Sequence, residues 1–298
     1  MKTRIAIFGL MAITMSTLIF TQSCSKEKDG SISASDLSLA QDEAYADALY
    51  EEVDNLVSTE ITTLDNNSYS TSTLKSTEES FCYTVSVDHP DSTSFPKVVT
   101  MDFGSGCSIV FNGDTITRSG QIIVTVTDRW FVQGSKHIVA FNNFFMNGVK
   151  IEGTKTRTNL GLNSENHLEL GIELVGGKVI FNDTVMMTRE ASHVREIIRT
   201  FSPQNDTILI TGSANGTNVL GQTYTREIIE PLVMVHCTDY KWRWVIIDGI
   251  VELTNSETGT STIDYSASGC DGGVIVNKNG YRHNYDFKYK YNHHKFRH

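Results

Sequence analysis

Apolar and polar residues alternate at period two along most of the chain beyond residue 81. The alternation is clear at Tyr83, Val85 and Val87, which are separated by hydroxyl residues. It recurs at residues 122–126, 208–211 and 281–292. A period of two is typical of β-strands that bury one face. We therefore predict a β domain over residues 81–292.

Short turn signals separate these apolar runs. They combine Asn, Asp and Gly, at Asn112-Gly113, Asn147-Gly148, Gly176-Gly177, Asn182-Asp183, Asn205-Asp206 and Asn279-Gly280. Such dipeptides favour tight hairpins. Since no long helical pattern lies between them, parallel crossovers are not expected. The pattern predicts an all-β fold, an antiparallel meander that forms a sandwich or a curved, partly closed sheet.

One segment before the strands has helical spacing. Apolar residues recur at positions 45, 48, 49, 53, 56 and 57, and acidic residues occupy positions 42, 43, 47, 51 and 54. We predict an N-terminal amphipathic helix of about five turns, capped by Ser35 or Asp36. Residues 36–80 would comprise this acidic helix and a polar linker. The apolar stripe is expected to pack on the β domain.

The first residues predict export. An apolar run at residues 5–20 follows Lys2 and Arg4 and ends shortly before Cys24. The run is shorter than the about 20 apolar residues of a membrane span and fits a signal peptide. We predict a signal peptide at 1–23 and a tether at 24–35. The sequence before Cys24 is similar to a lipobox except at Thr21, so ordinary signal-peptidase cleavage is the alternative.

Cysteine number supports lipidation of Cys24. In an oxidising compartment, four of the five cysteines can form two disulfides, and Cys24 is then the one left over. The four are Cys82, Cys107, Cys237 and Cys270, which allow three connectivities. Residues 100–107 resemble residues 262–270, and each segment follows an earlier cysteine. This repeat suggests two weakly related halves and favours pairing Cys82 with Cys107 and Cys237 with Cys270.

The charge is acidic and unevenly distributed. A formal net charge of −10 argues against nucleic-acid binding, which needs a basic face. Residues 25–66 are strongly acidic, whereas residues 278–298 are basic. These ends either form two separate solvated faces or dock the acidic segment onto the C-terminal strand. Residues 293–298 form a basic, histidine-rich tail, which we expect to be solvated and without a specific metal site.

No assembled catalytic motif is present. The sequence Gly104-Ser105-Gly106 lacks the strand and helix of a nucleophile elbow. If the two halves are related, Asp102 and Asp264 could form a carboxylate pair for glycoside hydrolysis. The simpler interpretation is that these carboxylates occupy outward strand positions or cap turns.

Two further sets of residues are candidates for recognition or modification. Trp242 and Trp244 lie two residues apart and so share one side of a strand, where they would either stack on sugar rings or join the core. Four hydroxyl residues follow an aspartate and precede an aliphatic residue or threonine: Ser92, Thr115, Thr184 and Thr207. These segments resemble the acceptor motif of a periplasmic O-glycosylation system.

Several segments together resemble a family of uncharacterised Gram-negative outer-membrane lipoproteins. They are the signal, the acidic helix, residues 95–104, residues 118–124 and the strand at 149–156. The resemblance implies an outer-membrane or cell-surface location and a β architecture. It implies no activity and no catalytic residues.

The sequence thus predicts a non-enzymatic cell-envelope lipoprotein that is anchored to the membrane through Cys24. Its β domain would be a binding or structural surface module for a surface glycan or an envelope protein, with no cofactor and no nucleic-acid partner. The first alternative is a carrier of lipids or lipoproteins with an apolar concave sheet. The second is a glycan-active hydrolase that uses paired carboxylates.

Overall fold

The computed structural model describes residues 32–65, 74–75, 82–88, 94–111, 114–182, 185–237, 243–266, 269–271 and 273–286. These residues form one α-helix and fifteen β-strands. They all belong to a compact unit that begins at Ile32.

The helix α1 is Ala34–Asp65. The strands are β1 (Leu74–Lys75), β2 (Thr84–Val87), β3 (Lys97–Asp102), β4 (Cys107–Phe111), β5 (Asp114–Val126), β6 (Lys136–Met146), β7 (Val149–Leu162), β8 (Leu168–Ile180), β9 (Met186–Ile198), β10 (Thr207–Thr217), β11 (Thr223–Cys237), β12 (Arg243–Asn255), β13 (Gly259–Asp264), β14 (Gly273–Lys278) and β15 (Tyr281–Asp286). Short 3-10 turns occupy Pro203–Asn205 and Gly269–Asp271.

The strands form a single antiparallel sheet that follows the order of the chain. Its order is β1-β2-β3-β5, then each strand in turn to β15, and β4 pairs with β5 beside this path. β5 is long enough to pair with two strands on the same side. Its residues 114–118 pair with β4, and its residues 121–126 pair with β3. The sheet is not closed. The predicted antiparallel meander with one N-terminal helix is confirmed.

Two of the predicted hairpin turns have the expected geometry. Asn147 and Gly148 have φ values of 51° and 78°, and Asn279 and Gly280 have φ values of 53° and 85°. Two consecutive positive φ angles are the requirement of a type I′ turn, which Asn-Gly satisfies with little strain. These turns connect β6 to β7 and β14 to β15.

The turn predicted at Gly176-Gly177 is wrong. Both glycines lie within β8, where the pairing with β9 shifts register between Leu174 and Gly177. A Cβ atom on Gly177 would lie 2.5 Å from the carbonyl oxygen of Arg189. Glycine is therefore needed here because two strands approach closely at a bulge, which sequence alone does not distinguish from a turn.

The helix is longer than predicted and begins earlier. Its 32 residues make about nine turns, because buried apolar residues continue from Leu39 to Ile61. Ser33 caps the helix in place of Ser35 or Asp36, since its Oγ accepts a hydrogen bond from the backbone N–H of Asp36 at 3.2 Å. In the described part of the chain, no helix is long and apolar enough to cross a membrane.

The helix packs on one side of the sheet and runs across the strands. Its N-terminal end contacts Lys278 of β14, its middle contacts β7 and β8 through Tyr50, and Glu60 near its C-terminal end contacts Tyr83 beside β2. Because one helix reaches strands this far apart, the sheet curves around it. Apolar residues of the helix and of the helix-facing side of the strands form one continuous core.

Candidate functional site

An acidic row lies along one flank of α1. It comprises Asp36, Glu43, Asp47, Glu51 and Asp54, whose spacing places them on one side of a helix. Facing it is a basic row on the helix-facing side of the sheet, made of Lys155 of β7, Arg189 and Arg195 of β9, Arg226 of β11 and Lys278 of β14. Every member of the acidic row has a salt bridge to the basic row.

The centre of this interface is deeply buried. Arg189 Nη1 lies 2.6 Å from Glu43 Oε2, and Arg189 Nη2 lies 2.6 Å from Asp47 Oδ1. Arg226 Nη2 lies 3.3 Å from Asp47 Oδ2. The side chains of Arg189 and Glu43 are only 2% and 1% exposed. Charges so removed from water require close partners, because each costs several kcal/mol to desolvate.

Salt bridges continue towards both ends of the helix. Lys278 Nζ lies 2.8 Å from Asp36, and Arg195 Nη2 lies 2.6 Å from Glu51. Lys155 Nζ lies 2.7 Å from Asp54 and also donates to the backbone carbonyl of Tyr50. On the opposite flank of the helix, Arg118 of β5 forms a further salt bridge of 2.6 Å with Glu52.

The pKa values of the two central acids, Glu43 and Asp47, shift in opposite directions. Burial raises the pKa of Glu43 despite the attraction of Arg189. Burial would also raise the pKa of Asp47, but the guanidinium groups of Arg189 and Arg226 outweigh it and lower that pKa to about 2. Asp47 is therefore ionised at neutral pH.

Asp42 is a buried acid outside the acidic row. Burial raises its pKa to about 7, against the effect of a hydrogen bond from the backbone N–H of Val219, and the nearby carboxylate of Glu43 adds to the increase. Among the described residues, its Oδ2 atom has no hydrogen-bond partner. The carboxyl group of Asp42, with its pKa of about 7, therefore titrates near neutral pH.

Two histidines near the interface are held neutral. Burial lowers the pKa of His137 and of His193 to about 3, with neighbouring guanidinium groups adding to the effect. Arg157 Nη2 donates to His137 Nδ1 at 2.8 Å, which requires an unprotonated Nδ1. Arg157 also donates to Ser58 of the helix, so this histidine supports a helix–sheet contact.

The acidic segment of the chain is therefore docked on the sheet rather than solvated. Of the two alternatives, docking onto the C-terminal strands occurs at Lys278, but most of the basic partners lie on β7, β9 and β11. The sequence contains a signal for two of them. Arg189 and Arg226 stand at the positions that should point towards the core, two residues after buried Met187 and Tyr224.

The four cysteines of the β domain pair as the internal repeat predicts. Cys82 bonds to Cys107, and Cys237 bonds to Cys270, with Cα–Cα distances of 5.5 and 5.7 Å. The bridges link residues 25 and 33 positions apart. Each therefore joins segments that lie close together in the chain.

Asp102 and Asp264 each cap a turn. Asp102 Oδ1 accepts a hydrogen bond from the backbone N–H of Gly104 at 2.8 Å, and Asp264 Oδ1 accepts one from that of Ser266 at 2.9 Å. A hydrogen bond from Gln121 lowers the pKa of Asp102. The local geometry matches the simpler interpretation of the repeat.

The remaining predicted residues lie in different places. Trp244 is half-buried, packs against the core and has its ring 3.9 Å from that of His236. Thr115 is exposed on β5, and Thr207 is half-buried at the start of β10. The others lie outside the described residues: Cys24, Ser92, Thr184, Trp242 and the tail at 293–298.

Sequence reasoning did not identify a polar cluster at the turn between β7 and β8. His167 Nδ1 lies 2.6 Å from Glu196 Oε1 and 3.8 Å from Glu165 Oε2. The three donor atoms lie within 4.8 Å of one another. Glu196 belongs to β9, so only the pairing of β8 with β9 brings the cluster together.

No protein-family model, curated protein or solved structure matches this chain. The resemblance to outer-membrane lipoproteins stays a prediction. A functional proposal must therefore depend on the residues and their geometry.

Proposed function

We propose that this protein is a cell-envelope lipoprotein, anchored through Cys24, whose sheet serves as a binding or structural surface module. The N-terminal sequence supports the anchor, with its basic start, its apolar run and one cysteine beyond the two disulfides. The proposal involves no catalysis.

The observation that carries the proposal is the occupation of the helix-facing side of the sheet. That side is covered by α1, and its charged residues pair with the acidic row. A partner would therefore bind most readily to the outer side of the sheet or to its turns. The packing of α1 on this side favours a surface module over a carrier, which would need an uncovered apolar face.

The outer side of the sheet offers hydroxyl groups. Thr154, Thr156 and Thr158 alternate with helix-facing residues on β7. On the neighbouring strands β9 and β10, the hydroxyl oxygens of Thr188 and Thr217 are hydrogen-bonded at 2.8 Å. Hydroxyl groups donate and accept hydrogen bonds without a charge, which suits a neutral surface glycan.

The anchor is tested by mass spectrometry of the full chain produced in a Gram-negative host. We expect a mature protein that begins at Cys24 and carries a diacyl or triacyl modification. A Cys24→Ser variant should lose the modification, because the thiol that would carry the lipid is absent, and with it the stable anchoring that more than one acyl chain provides. An unmodified Cys24 in the mature wild-type protein would contradict the anchor.

The surface role is tested separately, by protease treatment of intact cells and by glycan binding to the purified full chain. We expect cleavage in intact cells and binding that a Thr156→Val variant weakens. A Thr62→Val change on the exposed surface of α1 is the matched control. Full protection from protease together with no binding to any envelope glycan would contradict the surface module even if lipidation is found.

A further inference from the structure

We propose that Glu165, His167 and Glu196 form a binding site for Zn²⁺ on the outer side of the sheet, at the turn between β7 and β8. This site is independent of the lipid anchor and of the helix–sheet interface. It uses one imidazole nitrogen and two carboxylate oxygens, a donor set that borderline metals such as Zn²⁺ accept.

The donor atoms are already close to the spacing that Zn²⁺ requires. Zn²⁺ binds nitrogen and oxygen ligands at about 2.0–2.2 Å, so two ligands of a tetrahedral site lie about 3.3 Å apart. The distances from His167 Nδ1 to Glu196 Oε1 and to Glu165 Oε2 are 2.6 and 3.8 Å. Small side-chain rotations would equalise them, and Glu165 is 74% exposed and so able to rotate.

The backbone around these ligands is held by Asn163. Its Oδ1 accepts hydrogen bonds from the backbone N–H groups of Glu165 and His167, at 2.9 and 3.0 Å. Its amide donates to Glu196 Oε1 at 3.0 Å, an example of the outer contacts that orient ligands in metal sites. The two ligands of the turn are thus fixed relative to the one on β9.

Negative charge exceeds positive charge at this place. Glu165 and Glu196 both pair with the single imidazole of His167. Glu169 lies directly opposite Glu196 in the β8–β9 pairing. Its Oε1 accepts a hydrogen bond of 3.4 Å from the side-chain amide of Asn163. Three carboxylates around one imidazole create a potential that attracts a divalent cation. Zn²⁺ would bind between His167 Nδ1 and Glu196 Oε1, with the imidazole in the tautomer that carries its proton on Nε2.

The competing explanation is a simple hydrogen-bonded ion pair between His167 and Glu196. A second source of metal binding is the histidine-rich tail at 293–298. The experiment must separate both from the proposed site. For this purpose, His167→Asn and Glu196→Gln each remove a ligand. The control Glu173→Gln changes an exposed carboxylate on β8, the strand that also carries Glu169. A tail variant, in which His293, His294 and His298 are replaced by Asn, tests the tail.

The test is isothermal titration of the purified full chain with Zn²⁺ near neutral pH, together with the ¹⁵N chemical shifts of the histidine rings. We expect one equivalent that binds with saturation and shifts the His167 Nδ1 resonance. Affinity should fall at least tenfold in both His167→Asn and Glu196→Gln, as the loss of a direct ligand implies. Glu173→Gln and the tail variant should retain this equivalent, and excess Ca²⁺ should not displace it.

Three results would overturn the proposal. They are Zn²⁺ binding that survives both ligand substitutions, binding that disappears in the tail variant, and displacement of Zn²⁺ by Ca²⁺, which would indicate a site made of carboxylates without His167. Circular dichroism of each variant verifies the fold.

Discussion

Arg189 and Glu43 form a salt bridge of 2.6 Å between side chains that are 146 residues apart in the sequence. One lies on β9 and the other on α1, and both are almost completely buried. This contact joins the N-terminal helix to the centre of the sheet. It identifies the helix as part of the β domain's interior rather than as a separate acidic segment.

Replacing Arg189 by Met should strongly destabilise the protein. Glu43 would lose its closest cation and Asp47 one of two. Removing one partner of a buried pair typically costs 3–5 kcal/mol, so we expect a loss of about that size in the free energy of unfolding. Urea denaturation at neutral pH measures it. Adding Glu43→Gln to Arg189→Met should recover part of the loss.

The matched control is the pair between Lys150 and Glu152 on β7. It has a similar length of 2.7 Å, but its side chains are 30% and 34% exposed. Lys150→Met should cost no more than about 1 kcal/mol, because water screens exposed ion pairs. Equal losses in Arg189→Met and Lys150→Met would contradict a special role of burial at the helix interface.

Asp42 should make the protein less stable as the pH rises from about 4 to about 7. Its pKa is about 7 in the folded state, above the ordinary aspartate value of 3.8. The folded state therefore holds the proton more tightly, and this contribution is complete below about pH 4 and lost as the pH rises to about 7. The shift corresponds to a contribution on the order of 4 kcal/mol.

Asp42→Asn tests this dependence. We expect the variant to be more stable than the wild type by about 1–3 kcal/mol near pH 8 and of similar stability near pH 4, because Asn cannot ionise. Glu257→Gln, an exposed position in the turn between β12 and β13, makes the same change in net charge and should have little effect. The two variants are compared by chemical denaturation at both pH values. An equal effect of Asp42→Asn at the two pH values would refute the buried titration.

His137 should act in the opposite direction, at lower pH. Its pKa is lowered to about 3 in the folded state, below the ordinary histidine value of 6.5, so the unfolded chain binds the proton more tightly. The stability it contributes is present above about pH 6.5 and is lost as the pH falls towards about 3. His137→Gln retains an acceptor for Arg157 but cannot be protonated.

We expect the loss of stability between pH 6.5 and pH 4 to be smaller in His137→Gln than in the wild type, by roughly 1–3 kcal/mol. Thermal or urea unfolding across this range measures the difference. His283→Gln on the exposed edge strand β15 is the control. Identical acid profiles for wild type and His137→Gln would show that this histidine is not buried in the neutral form.

Gly216 on β10 should not tolerate a side chain. A Cβ atom there would lie 1.9 Å from the carbonyl oxygen of Thr188, which belongs to the backbone of β9 and cannot move away easily. We expect Gly216→Ala to cost about 1–3 kcal/mol or more. At Gly171 on β8, the nearest atoms to a new Cβ lie at 3.5 Å, an ordinary contact. Gly171→Ala should therefore be neutral or slightly stabilising in a thermal unfolding experiment, and a similar loss at both positions would contradict the clash.

Local patterns in the sequence predicted the elements of the sheet. Tyr83, Val85, Ile122 and Val124 are buried at the alternating positions expected of them. The Asn-Gly pairs at 147–148 and 279–280 form the expected turns, because the required φ angles depend on those two residues alone. The disulfide pairing followed from a repeat that can be read within the chain.

The pairing of the acidic row with its basic partners, and the cluster around His167, could not be predicted in this way. Helical spacing places Glu43 and Asp47 on one flank, but it does not reveal that Arg189 and Arg226 face them across more than 140 residues of chain. Likewise, His167 meets Glu196 only because β8 pairs with β9 in one particular register.

Sequence by itself determined where strands, hairpins and a helix form, since these depend on periodicity and on turn residues that act over a few positions. Only the tertiary structure decided that acidic residues of the helix are buried as well as its apolar stripe, which charges meet and which strand positions approach too closely for a side chain. Those outcomes depend on curvature and register of the sheet, which arise from packing of all strands together. Burial then makes the choice of partner decisive, because Asp42, which pairs with no cation among the described residues, has its pKa raised to about 7, while Asp47, between two guanidinium groups, has its pKa lowered to about 2.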